Sequence, residues 1–139
     1  MEYKLIDNTY VVRLDVGDEI IGSLATLCKK EKIQAATVQG LGAVDNVTVG
    51  YYSIEEGRYL PKTFNKQFEM IALNGNISVK DNEPYLHLHI ALSDESYAIF
   101  GGHLNYAVIS ITAEIFVTKL DGSIGRRVNE KTQLNIFDI

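Results

Sequence analysis

The chain has no tryptophan, a single cysteine and only three histidines in 139 residues. Each scarcity excludes something. One thiol cannot form an internal disulfide, and Cys28 falls among apolar residues at helical spacing, which predicts a buried, inert side chain. The aromatic residues are eight tyrosines and five phenylalanines. Tyr51 and Tyr52 are adjacent, so they face opposite sides of a strand and do not form a base-stacking platform. Positive charge is also in short supply. Lys and Arg number 13 against 18 Asp and Glu, a net charge of -5, and such a field repels a polyanion. Lys29, Lys30 and Lys32 suit a helix C-terminus, and Arg126-Arg127 follow a turn and read as a solvated face. No stretch approaches the roughly 20 apolar residues of a membrane-spanning helix, and Met1-Glu2-Tyr3-Lys4-Leu5 has no apolar run behind basic residues, so a cytoplasmic protein is expected.

What is present is mostly extended chain. Residues 3–6 and 8–14 read as short strands, followed by one helix. Gly17-Asp18-Glu19 supplies its cap, Ile20, Ile21, Leu24, Leu27 and Cys28 recur at helical spacing, and Lys29-Lys30 close its last turn. From Ile33 the period becomes that of strands. Gln39-Gly40-Leu41-Gly42 joins two strands rather than a strand and a helix, so a bulge is expected and a phosphate loop is excluded. Pro61 to Lys66 reads as a loop or edge segment. Residues 67–79 form one long strand bent at Gly75, and a turn at 80–84 leads into a neighbouring strand. Residues 108–118 are the most β-biased run, and Leu134-Asn135-Ile136-Phe137 makes a last edge strand. The sum is a single α+β domain over residues 1–139, with one helix and about eight strands, mostly antiparallel. One helix cannot cover so large a sheet, so either the sheet closes on itself or subunits cover one another.

The chemistry concentrates in Tyr85-Leu86-His87-Leu88-His89-Ile90 and Gly101-Gly102-His103-Leu104. In a strand His87 and His89 share one face, and a Gly-Gly step lets the backbone carrying His103 come close. Three imidazoles with an open fourth position are the ligand set of a catalytic zinc. Glu69 and Glu114, each inside an otherwise apolar strand, are the candidate carboxylates for a fourth ligand or a proton-handling group. Ser23, Ser53, Ser78 and Ser110 lack the context of an activated nucleophile.

The ordered motifs Gly17-Asp18-Glu19, Gln39 to Val44, Phe68 to Ser78, Pro84 to His89, Gly101 to Leu104 and Thr112-Ala113-Glu114-Ile115 resemble the plant and prokaryote conserved (PPC) domain family over nearly the whole chain. The resemblance implies an α+β subunit, a homotrimer, and a role in assembly or small-molecule binding. Plant members join this domain to AT-hooks that bind DNA. This chain carries no Arg-Gly-Arg-Pro hook, so the DNA-associated role has no residues of its own here. The histidine motifs are also similar to the zinc site of acetolactate decarboxylase, which implies His87, His89 and His103 as zinc ligands and a zinc-dependent lyase or hydrolase acting on a small oxygen-rich acid. That enzyme's arginine has no counterpart identifiable from the sequence.

Overall fold

The computed structural model describes all 139 residues and places nine strands and one helix in a single sheet system: β1 (Glu2–Ile6), β2 (Thr9–Asp15), α1 (Ile20–Glu31), β3 (Ala36–Ser53), β4 (Arg58–Phe64), β5 (Phe68–Lys80), β6 (Glu83–Ser93), β7 (Ile99–Lys119), β8 (Gly125–Val128) and β9 (Asn135–Asp138). All pairings are antiparallel except a single parallel contact of β5 with β8. The main path runs β1-β2-β7-β3-β5-β8-β9, with β4 on β3, and β6 bonded to both β5 and β7. Strands β3, β5, β6 and β7 therefore close a ring. Closure pairs these four strands on both sides and leaves β1, β4 and β9 as the strands with a single partner.

The long strands bend where the sequence allows it. The register of β3 against β5 shifts between Gly40 and Gly42, the bulge expected there. Two strands expected on either side of that bulge are one continuous strand of 18 residues. Likewise Gly101-Gly102-His103 does not precede the last long strand but lies within it, as the first part of the 21-residue β7. The segment read as a loop or edge, 61–66, is mostly strand: β4 pairs with β3 from Arg58 to Phe64. Strand β8 was not expected, because Gly125-Arg126-Arg127-Val128 holds two adjacent arginines and no apolar alternation.

Helix α1 packs on β6 and β7 through Ile20, Leu24, Leu27 and Cys28, all buried. Each such apolar side chain contributes about 2 kcal/mol by leaving water. The residue that caps the helix is Glu19, whose carboxylate accepts from the amides of Ile21 and Gly22. At the other end Lys32 adopts a left-handed conformation and its amide returns to the Cys28 carbonyl. Strand side chains Leu14, Phe68, Leu73, Ile77, Leu88, Leu92, Ile109 and Val117 continue the same core.

Burial pushes the Cys28 thiol up to about 11. At pH 8 only about one molecule in a thousand then carries the thiolate, and the fraction rises tenfold per pH unit until that value is reached. Iodoacetamide at pH 8 should therefore label the folded protein more than about a hundredfold slower than the urea-unfolded protein. Equal rates in the two states would show the thiol to be accessible.

Candidate metal centre

Strands β5, β6 and the start of β7 run side by side. The register sets Asn76 opposite His87, Asn74 opposite His89, and His89 opposite His103. Alternation puts Tyr85, His87 and His89 on one face of β6, and their cross-strand partners share that face. His103 arrives on it because β7 comes close to β6 at Gly101 and to β3 at Gly102, two residues without side chains. A Cβ on Gly101 would stand 2.1 Å from the Ile90 carbonyl oxygen, and one on Gly102 would stand 2.7 Å from that of Gly50. Only glycine admits such proximity.

The three rings form a near-equilateral group, with centroids 5.3 Å apart for His87 and His89, 5.3 Å for His87 and His103, and 5.5 Å for His89 and His103. One nitrogen from each lies within 4.8 Å of the others. Nitrogens sharing one zinc stand about 3.4 Å apart, so small ring rotations suffice to meet an ion. Nδ1 of His103 is buried and has no hydrogen-bond partner. A buried nitrogen left without a partner is costly, and an ion would supply the missing interaction. Burial, then repulsion from His103, Arg126 and His89, pushes His87 down to about 4. Burial, followed by His89, lowers His103 as well. Both imidazoles are neutral at pH 7, the form that ligates a metal.

Neither candidate carboxylate stands beside the histidines. Glu69 pairs with Ala43 and Ser93 at the far end of β5, five residues from the partner of His89. Glu114 lies opposite Arg13 and Leu41. Both are exposed, which is how a strand tolerates a carboxylate without a partner. Their alternation within apolar strands reflects an outer sheet face.

His87 and His103 instead border a cavity of about 710 Å³ whose walls also include Arg58, Tyr59, Asn76, Tyr85 and the chain from Thr132 to Phe137. Arg126 enters this cavity. Its guanidinium lies between the rings of Tyr85 and Phe137, 4.6 and 4.4 Å from their centroids. It donates from Nε to Ser78 Oγ at 2.8 Å, from Nη2 to Asn76 Oδ1 at 2.6 Å, and from Nη1 to the Asn135 carbonyl at 2.9 Å. Arg126 is thus half-buried beside the residue opposite His87, and not part of a solvated face. The sequence carried no signal for this, because the Ser78 and Asn76 acceptors are 48 and 50 residues away.

Comparison with known proteins extends these observations. The model of the Plants and Prokaryotes Conserved (PCC) domain matches residues 1–121. A candidate DNA-binding protein of Bacteroides thetaiotaomicron has the same fold with a TM-score of 0.95 at 34% identity, covering 99% of this chain and 96% of its own. A plant- and prokaryote-conserved (PPC) protein of Pyrococcus horikoshii matches with a TM-score of 0.89 at 34% identity, over 99% and 95% of the two chains. A metal-containing protein of Archaeoglobus fulgidus matches with a TM-score of 0.89 at 30% identity, over 99% and 97%. No curated protein matches by sequence. No helix is long and apolar enough to cross a membrane.

Proposed function

The chain belongs to the Plants and Prokaryotes Conserved domain family, and from that premise we propose that it is a metal-dependent small-molecule-binding protein in which His87, His89 and His103 hold a zinc ion. The observation that carries this reading is the convergence of three histidine nitrogens within 4.8 Å of one another at the edge of a cavity. The unpartnered Nδ1 of His103 supports it. So does the metal-containing relative from Archaeoglobus fulgidus. An all-imidazole set favours zinc over the harder cations. When bound, the ion supplies Lewis acidity to an oxygen-bearing ligand. The protein's part is to orient that ligand: Tyr59 and Tyr85 wall the cavity, and Asn76 and Arg126 offer polar groups beside it.

A zinc-dependent lyase or hydrolase would use the same site, with a further group to move a proton. No carboxylate lines the cavity, which favours binding over turnover. The DNA-associated reading has support in the candidate DNA-binding relative. The net charge of -5 weighs against it. Association as a homotrimer is supported by an apolar outer face on which Leu41, Ile71 and Phe116, each about half exposed, border one depression.

Elemental mass spectrometry on protein purified without a histidine tag tests the metal. About one zinc per chain is expected, falling to less than about a tenth of that in the His87→Ala, His89→Ala double variant. Wild-type protein without metal after zinc loading would return the histidines to a structural role. Light scattering should give the mass of three chains, and a monomer would remove the trimer. Salt-dependent binding of duplex DNA near 0.1 M salt would bring the regulator reading forward.

A further inference from the structure

Arg126 is a half-buried cation without a counter-ion. Its three acceptors are a hydroxyl, a side-chain amide and a backbone carbonyl, all neutral. Burial lowers its affinity for the proton, the Tyr85 hydroxyl offsets this in part, and no carboxylate acts on it. Of its five N–H groups, three are used. Two remain, one on each terminal nitrogen. The cavity has no acidic side chain in its wall, although the chain as a whole is acidic. Its one other cation, Arg58, is already neutralised by Glu56 at 2.6 Å. A guanidinium held rigid by three hydrogen bonds and two aromatic faces, yet left without an anion, has the features of a preorganised receptor.

We propose that the cavity beside the three histidines binds a small organic acid, whose carboxylate pairs with Arg126 while its other oxygen-bearing end faces His87 and His103. This deepens the metal-dependent binding reading above and rests on it for the second end of the ligand. A carboxylate matches the single free positive charge and the two free N–H groups. At the Arg126 end the other guanidinium, Arg58, is already paired with Glu56, so a carboxylate monoanion balances the one unpaired charge there, whereas a phosphate dianion would leave a negative charge in excess. The aromatic side chains Tyr59, Tyr85 and Phe137 suit the carbon body of such an acid, and about 710 Å³ lies within the usual range for small-molecule cavities. Arg126 and Phe137 both lie beyond the matched residues 1–121, so the segment after the conserved domain sets the ligand's charge.

Titration calorimetry on the full chain, zinc-loaded and metal-free, decides the matter with lactate, pyruvate, malonate and succinate as probes, their amides as neutral counterparts, and inorganic phosphate. At least one acid should bind zinc-loaded protein at least about tenfold more tightly than its amide and than phosphate. Arg126→Gln should abolish that preference, and Arg126→Lys should retain part of it. Absence of binding by every acid, equal binding of acid and amide, tighter binding of phosphate, or an undiminished preference in Arg126→Gln would each overturn the proposal. If Arg126→Gln does not fold, as judged by circular dichroism, the acid-to-amide ratio on wild-type protein decides alone. Failure of the metal reading looks different: no zinc is retained, but the acid preference persists in metal-free protein and still depends on Arg126.

Discussion

Gly75→Ala is expected to destabilise the protein by about 3 kcal/mol and to lower its melting temperature by about 10 °C. Gly75 pairs with Leu88, between the two histidines of β6. A Cβ there would stand 2.0 Å from the His87 carbonyl oxygen and 2.9 Å from Leu88 Cα. Both are backbone atoms, so no side-chain rotation relieves the clash. The two strands must separate, and separation carries the imidazoles of His87 and His89 with it. Zinc affinity should therefore fall together with stability. Gly125→Ala provides the comparison: its Cβ would meet only the Asp138 side chain at 3.6 Å, an ordinary contact, and its cost should stay within about 1 kcal/mol. Denaturant midpoints for the two variants measure the difference. Equal midpoints would mean that β6 can shift away from β5 freely, and that the histidine geometry is not set by the glycine.

Zinc itself should produce the second large effect. At free zinc a thousandfold above its dissociation constant, a ligand that binds only the folded state stabilises it by about 4 kcal/mol, a rise of roughly 12 °C in a domain of this size. EDTA should reverse the rise. In the His87→Ala, His89→Ala variant no shift should remain, because one imidazole does not hold the ion at these concentrations. A shift of the same size in that variant would place the metal elsewhere in the chain. A magnesium control should give no shift, since an all-nitrogen set offers nothing to a cation that prefers oxygen.

The fold was legible because its signals are local. Ile20, Leu24, Leu27 and Cys28 sit at helical spacing, and the alternating apolar residues of β5 and β6 mark strands regardless of their neighbours. The bulge at Gly40 and Gly42 was legible for the same reason, since two glycines inside a strand pattern have few other uses. Of the strand pairings, the β5–β6 hairpin was legible from its turn, and those between more distant strands were not. Whether β6 stands alone on β5 or also closes onto β7 depends on contacts between Ile90 and Gly102, or Leu92 and Phe100, that no period within either strand encodes. The continuity of β7 was hidden as well, because Gly101-Gly102 weakens the β signal at the point where the strand most needs close approach.

For the candidate site, the spacing of His87 and His89 alone placed both on one strand face, and the glycines before His103 marked a place of close approach. Those residue types also limited any shared ion to one that accepts nitrogen. Tertiary structure alone decided the rest. It moved Glu69 and Glu114 to exposed positions away from the imidazoles, since alternation says that a side chain shares a face but not which elements cover that face. It also brought Arg126 to Asn76 and Ser78 across some fifty residues, between Tyr85 and Phe137. A guanidinium in a short strand after a turn reads as solvated in any sequence. Its environment is set by ring closure and by the path of the last two strands, both of them long-range properties of the packed chain.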